Sequence, residues 1–407
     1  MESSGRAEFA TDLARRRAAA GLSLARVAAA AHIHRGYLHR VEAGRQWPTR
    51  PVAQLLDDAL HARGVLLAAW RDGEAARQLA AEDERRLAAS ARESRRLVRL
   101  LDDAPLGEAV TVAEQATAVL AVDCLHNPPA PTLTAALDAR TAIVRALHRA
   151  PNAGQRRDLI RAAGYLSGVL VYAALDLDHG RAATDHAATA WCCADATGDR
   201  ELAAWVRDAQ SLIARVERDF PTALALARDG LDHYAGQDTS TIRLLADVAK
   251  NAASLGDRAE THRALNAAAD AADHAGLDAF PGLFTFSRAG LASMGGFALT
   301  WFDEPADARG AVVSASTAIA LWQVGDPADR SQPGEALAHV YAAIAGVQLG
   351  ELDAAAAMLD AVLTLPDERR ISFLRRNVAR VGDLLAAPRF RGSMTAGDLR
   401  VAVAGFS

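Results

Sequence analysis

The sequence predicts an all-α protein, with a small N-terminal bundle of five helices followed by a long α-helical solenoid. Three observations predict it. Apolar residues make up 51% of the 407 residues and aromatics only 5%, with alanine supplying much of the apolar count. Alanine is the best helix former and a poor core filler, which favours closely packed helices over a sheet. At this length more than one packing unit is expected. Beyond residue 155 a similar unit recurs: an alanine-rich helix, a tight turn carrying an acid, then a second alanine-rich helix. Self-similarity at roughly 34 to 45 residues is the signature of a helical solenoid. The chain is therefore divided into an N-terminal domain over 1–70, connecting helices over 71–154, a repeat domain over 155–390 and a tail over 391–407.

Charge sharpens the division. The net charge is −5, yet residues 1–100 carry 18 arginines against 12 acids, and residues 15–50 carry eight arginines against one acid, Glu42. Lys250 is the only lysine in the chain. A positive N-terminus beside a negative body points to an anionic partner for the N-terminus. The three cysteines, Cys124, Cys192 and Cys193, form no CxxC pair and fit a reducing cytoplasm. No apolar signal core follows Met1, and no run of apolar residues suggests a membrane span. A cytoplasmic protein without a membrane segment is expected.

The five N-terminal helices can be placed in order. "EFATDLARRRAAAG" buries Phe9, Leu13 and Ala14 and stops at Gly21. Ser23 is a good N-cap for a short second helix, "LARVAAAA", whose small inward residues Val27, Ala28 and Ala31 let another helix cross closely. His32-Ile33 makes the turn. "HRGYLHRVEAGRQWP" supplies a third helix with Leu38 and Val41 inward. "WPTRPVAQLLDDALHARG" gives a fourth, with Pro51 allowed in its first turn, and "VLLAAW" a fifth. Two short helices with small residues at their contact and a tight turn between them form a helix-turn-helix. With Leu38 and Val41 inward, Arg35, Gly36, His39 and Arg40 share the outer face of the third helix. Such a helix fits the major groove, where an arginine can bond both acceptors of one guanine. Arg35 and Arg40 are the base-reading candidates, with His39 a third contact.

The run "GLSLARVAAAAHIHRGYLHRVEAGRQWPT" resembles the Cro/phage-repressor-like (XRE) family of DNA-binding domains without a gap, over about the first 70 residues. The resemblance rests on Leu22, Ser23, Ala28, Ala31, Ile33, Tyr37, Leu38, Val41, Glu42, Gly44, Arg45, Pro48 and Thr49. It implies double-stranded DNA as partner and places Ser23 among the DNA-facing residues. It implies that Arg45, Gln46 and Trp47 grip phosphate, which sets position without reading sequence. It also implies an internal salt bridge between Arg17 and Glu42, with a DNA contact by Arg17 as the other role. The chain departs from the family at Leu24, where glutamine often reaches the DNA. It departs again at His32, the usual turn glycine, and at His34, the usual Ser/Thr cap. A metal role for His32, His34 and His39 would need convergent geometry, with no cysteine or paired carboxylate nearby, and no metal or cofactor is expected.

Residues 71–103 read as one charged helix, connecting or dimerising, with Leu79, Leu87, Leu97 and Leu101 sparse for a coiled coil. Beyond it, "ARVERDFPTALALARDGL", "LLADVAKNAASLGDRAETHRAL" and "HVYAAIAGVQLGELDAAAAMLDAVLTLP" are spaced like tetratricopeptide repeats, and "VYAALDLDHGRAATDHAATA" is a weaker instance. Residues 277–330 fit the pattern poorly. Each unit cannot bury its apolar stripe alone, so stacking stabilises the array. Arg243, Asp247 and Lys250 fall one turn apart on the inner side of one unit, and Trp205, Asp208, Leu212 and Arg215 do the same one unit earlier. A Lys250-Asn251 pair can hold a carboxylate, and Arg243 and Lys250 suggest an anionic peptide or metabolite as effector; an ordinary solvated helix surface is the alternative.

No HExxH, GxSxG, Walker loop or strand-flanked GxGxxG is present, so no catalytic residues are expected. The expectation is a sequence-specific DNA-binding transcriptional regulator. Its repeat domain senses a peptide, small molecule or protein partner, and the chain acts as a homodimer on an inverted repeat. The alternative is a repeat-scaffold adaptor with a vestigial DNA-binding domain.

Overall fold

The computed structural model describes residues 2–74, 108–150, 152–233 and 239–406. Among them every regular element is helical. The chain divides into two compact units, 1–89 and 90–407. Most of the charged segment over 71–103, with its four leucines, lies outside the described residues.

The N-terminal unit holds α1 (Glu2–Ala19), α2 (Leu24–Ala30), α3 (Arg35–Glu42), α4 (Arg50–Ala59) and α5, described over 65–74. Phe9, Leu13, Val27, Ala31, Leu38, Val41, Leu56 and Leu66 form its core. Val27 and Ala28 of α2 are small enough for α3 and α4 to cross closely. The buried Asp57 ties α4 to α5: its carboxylate accepts the N–H groups of Gly64 (2.7 Å), Leu66 (2.9 Å) and Leu67 (3.3 Å). Those are orphan donors at a helix start, which a carboxylate satisfies well.

Among the described residues the second unit is built from seven helix pairs. They are α6 (Ala109–His126) with α7 (Pro129–Arg149), α8 (Ala153–Asp176) with α9 (Gly180–Thr197), and α10 (Arg200–Val216) with α11 (Phe220–His233). Next come α12 (Ser240–Ser254) with α13 (Arg258–Ala272) and α14 (Arg288–Leu299) with α15 (Pro305–Val324). The last two are α16 (Gln332–Leu349) with α17 (Leu352–Leu363) and α18 (Ser372–Leu385) with α19 (Met394–Ala404). The recurring acid in the turns is a helix cap. Asp199, Asp219 and Asp257 accept the backbone N–H of Leu202, Thr222 and Glu260 at the starts of α10, α11 and α13.

The first helices of successive pairs pack side by side, forming an inner row flanked by the second helices. Inner helices are buried nearly all round, as α12 and α16 are, whereas second helices such as α9 and α13 bury only a stripe of alanine and threonine. Small stripes permit close approach on one face and leave the other polar. The inner row then closes on itself, because α6 meets α16 and α8 meets α18. At this seam Ser372 Oγ donates to Leu175 O at 2.6 Å, Arg369 Nη1 donates to His126 O at 3.1 Å, and Arg376 pairs with Asp178.

Three expectations are corrected here. Residues 109–149 form the first pair of the array and pack on α8, rather than serving as connecting helices. Residues 394–404 are its last helix and pack on α17 and α18 rather than trailing as a tail. The α8 helix has the length and apolarity of a membrane span, with a mean hydropathy of 1.3 over its best window, and 72% of that window is buried among its neighbours. The misfit at 277–330 begins with a loop over 273–287, where a short 3-10 turn (Gly282–Phe284) replaces repeat structure. Gly282 adopts φ +67° and lies against the Ala121 backbone, where a Cβ would come within 2.6 Å, so only glycine fits.

Candidate DNA-binding face and ring cavity

In the N-terminal unit, Ser23 caps α2 and accepts the Arg26 N–H at 3.3 Å, keeping its own hydroxyl proton to donate outward. His34 caps α3 through Nδ1, which accepts the Gly36 N–H at 3.1 Å. Histidine thus does the work of the missing serine or threonine. His32 holds φ +52° at the end of α2, the left-handed conformation for which glycine is preferred. The end of α3 is a Schellman turn: Arg45 N donates to Arg40 O at 2.8 Å, Gly44 N to Val41 O at 3.0 Å, and Gly44 sits at φ +66°.

The outer face of α3 presents Arg35, His39 and Arg40 to solvent, with Gly36 half-buried between them. Arg45 is exposed just beyond the turn. Among the described residues neither Arg35 nor Arg45 has an ion-pair partner. Arg40 Nε donates to Gln46 Oε1 at 2.9 Å, which leaves both Nη groups open. The acid of this region, Glu42, points the other way. It takes three bonds from Arg17 at 2.6–3.1 Å, while Arg17 Nη1 donates to Leu22 O at 3.1 Å. Arg17 therefore locks α1 to α3 and is not free for DNA.

Trp47 is placed differently from the expected phosphate contact. Its indole N–H donates to Glu74 at 2.8 Å, and its ring packs edge-on to Phe9 (5.5 Å) and beside Trp70 (6.4 Å). An amphipathic ring finds more apolar surface there than beside a phosphate, so Trp47 is a structural anchor.

Residues 8–70 match the family model of a helix-turn-helix domain. The N-terminal unit is a helix-turn-helix domain. No curated protein matches the chain.

The inner helices line a half-open cavity of about 750 Å3. Asp208, Arg215, Arg243, Asp247 and Lys250 of the expected groove all line it. Trp205 does not; it is 2% exposed, packed against Tyr172 (5.6 Å) and Phe284 (4.9 Å) over Gly168. The loop bearing Phe280 and Phe284 covers it, and no repeat spacing could have shown that. Asn251 is also buried, donating to Ser211 Oγ at 3.0 Å and accepting from Arg215 at 2.9 Å, so it forms no carboxylate clamp with Lys250.

Lys250 instead pairs with Asp247 in its own helix. Arg243 stands 3.8 Å from Asp208 and donates to Leu283 O (2.7 Å) and Thr285 O (3.2 Å), which anchors the covering loop. Tyr172 donates to Asp208 at 3.1 Å. Burial and the neighbouring Asp247 push the Asp208 carboxyl well above the usual carboxylate range. Burial works against the Asp247 carboxylate, yet Lys250 and hydrogen bonds hold it below that range.

Three contributors escaped sequence reasoning. Arg380 on α18 lines the cavity opposite the repeats that were singled out, donating to Thr300 O at 2.6 Å and Thr300 Oγ1 at 3.0 Å. Tyr341 on α16 and Trp301 after α14 join it. What they share, a place on the inner side of the row, is visible only once the row is known to close.

Proposed function

We propose that this chain is a sequence-specific DNA-binding transcriptional regulator of the XRE type, whose tetratricopeptide-like array is a non-catalytic sensing module acting in the cytoplasm. The observation that carries the DNA-binding part is the outer face of α3. Arg35, His39 and Arg40 are exposed, and the one nearby acid is consumed by Arg17. A rigid helix with unpaired arginines on its solvent face suits major-groove readout, and Arg45 and Ser23 on its flanks suit phosphate contacts.

The reading includes a homodimer. One domain with Leu24 and Gly36 on its DNA side offers few base contacts, and a second copy across a two-fold axis doubles them. The operator is then an inverted repeat with half-sites about one helical turn apart. The cavity supports the sensing role through its volume, which is that of a small-molecule site.

Selection of the full chain on random duplex DNA tests the proposal. An enriched inverted repeat, bound more weakly once Arg35 or Arg40 is replaced by alanine, supports it. No enrichment at any salt concentration refutes it and leaves a scaffold acting through protein contacts.

A further inference from the structure

The charges lining the cavity are unevenly matched. Arg243 and Lys250 face Asp208 and Asp247 in a cluster whose members are each less than a tenth exposed. Beside this cluster stands Arg215, in the last turn of α10 and bonded to the end of α12, and Arg380 lines the cavity from α18. Among the described residues neither has a carboxylate within ion-pair distance. Arg215 Nη1 donates only to neutral acceptors: Lys250 O (3.1 Å), Asn251 Oδ1 (2.9 Å) and Ser254 Oγ (2.9 Å). Arg215 Nε and Nη2, Arg380 Nε and the Tyr341 hydroxyl make no hydrogen bond within the described residues, and none is sealed off from the cavity.

The two guanidinium groups share one aromatic ring, Trp301, at 5.5 and 4.8 Å from its centre, and Arg215 lies 4.6 Å from Phe297. Burial pulls Arg215 down to about 10 and also lowers Arg380. Both nevertheless stay charged near neutrality; the charge of Arg380 opposes that of Arg215, while Asp247 and Asp303 act on them only from beyond ion-pair distance. Buried arginines without a counter-ion are costly, and they are the expected features of a site that takes its anion from outside.

We infer that the ring cavity binds a small organic anion, its acidic group held by Arg215, Arg380 and Tyr341 and its aromatic or apolar body lying against Phe297 and Trp301. Arg215 and Arg380 rather than Lys250 supply the free charge, because Asp247 already pairs with Lys250. The closed row and the cavity volume favour a compact molecule over an extended peptide. The guanidinium fork suits a carboxylate, sulfonate or phosphate equally, because each offers two oxygens in bidentate register. This deepens the sensing role proposed above, but the binding itself does not depend on DNA recognition.

The test uses the full chain and two fluorescent probes of matched shape, the anionic 8-anilinonaphthalene-1-sulfonate and its uncharged counterpart N-phenyl-1-naphthylamine. The anion is expected to bind one per chain and at least about tenfold more tightly than the neutral probe, the value of one charge-assisted bond. Arg380→Gln should reduce that preference to about twofold or less while leaving the neutral probe's affinity unchanged. Arg400→Gln, on the exposed face of α19, should change neither. Arg215→Gln should act like Arg380→Gln; should it fail to fold because it holds α10 to α12, the Arg380 variant and the wild-type preference decide alone. Equal affinity for the two probes, or a preference that survives Arg380→Gln, overturns the inference. No DNA is present in this titration. A chain that binds the anion but selects no operator would refute the proposed function and leave the inference standing.

Discussion

Replacing Arg40 by alanine separates readers from anchors on the DNA-binding face. In the free protein Arg40 Nε is held by Gln46 Oε1 at 2.9 Å, so its two Nη groups form a pre-set fork. A bidentate arginine–guanine pair discriminates by about 1–3 kcal/mol. That is about 5- to 150-fold in Kd, expected at one operator position only. A hydrogen bond between two exposed side chains contributes less than about 1 kcal/mol, so Gln46→Ala should cost less than Arg40→Ala. It should also add little at that position once Arg40 is gone. Arg45 stands beyond the Schellman turn with no partner among the described residues. Arg45→Ala should weaken every sequence alike and reduce the slope of log K against log salt by about 0.9, one phosphate contact. Fluorescence anisotropy over a set of single-base operator variants, repeated across a salt series, measures both effects. If Arg40→Ala and Arg45→Ala give the same base profile and the same salt slope, the assignment of reader and anchor is refuted.

Three further outcomes follow from local geometry. His32→Gly should stabilise the helix-turn-helix unit by about 0.5–1 kcal/mol in chemical denaturation, because His32 is exposed and held at φ +52°; a loss of stability would show that the histidine makes a compensating contact. Burial pushes Asp176 from 3.8 to about 7, so its folded carboxyl keeps a proton that the unfolded one loses. Its contribution to stability is full below the lower value and declines as pH rises toward the upper one, and Asp176→Asn should shrink the stability difference between pH 5 and pH 8 by at least about 1 kcal/mol. Lys250→Ala should destabilise the array by about 3–5 kcal/mol by stranding Asp247, whereas Lys250→Met combined with Asp247→Leu should be nearly neutral, as thermal melts of the three proteins would show.

The N-terminal domain was legible almost residue by residue because its determinants are local. Caps, turn glycines and a three-to-four spacing of apolar residues act within a few positions, and the five helices fall where Ser23, Gly21, Gly44 and Pro51 place them. Trp47 was misread because its partner, Glu74, lies beyond the segment that carries the motif. In the array the helix pairs were legible from alanine stripes and from acids that prove to be caps. The inward position of Asp208, Arg215, Arg243, Asp247 and Lys250 followed from helical phase. The meaning of those charges did not. Lys250 and Asp247 are one turn apart and could have been paired from sequence, but the burial of Trp205 depends on a loop about eighty residues away, and Arg380 reaches Arg215 only because the array closes. Closure is the summed effect of small rotations between pairs, and no single repeat encodes it.

That closure also says where a bound anion would act. In an open solenoid each pair answers only to its neighbours, so a local change alters curvature a little at every joint. Here the contacts of α6 with α16 and of α8 with α18 add a seam that couples the two ends of the row. The bonds that stitch it, Ser372 to Leu175 and Arg369 to His126, contribute about 0.5–1.5 kcal/mol each after exchange with water. Repulsion between Arg215 on α10 and Arg380 on α18 acts across the same ring and opposes closure, because both guanidinium groups are desolvated and neither has a carboxylate of its own. An anion between them converts that repulsion into two attractions. Useful allosteric coupling is about 1–3 kcal/mol, the same order as two seam bonds. On the proposed anion site, a ligand at Arg215 and Arg380 would relieve that repulsion and favour the closed ring, whereas one at the already paired Lys250 and Asp247 would not.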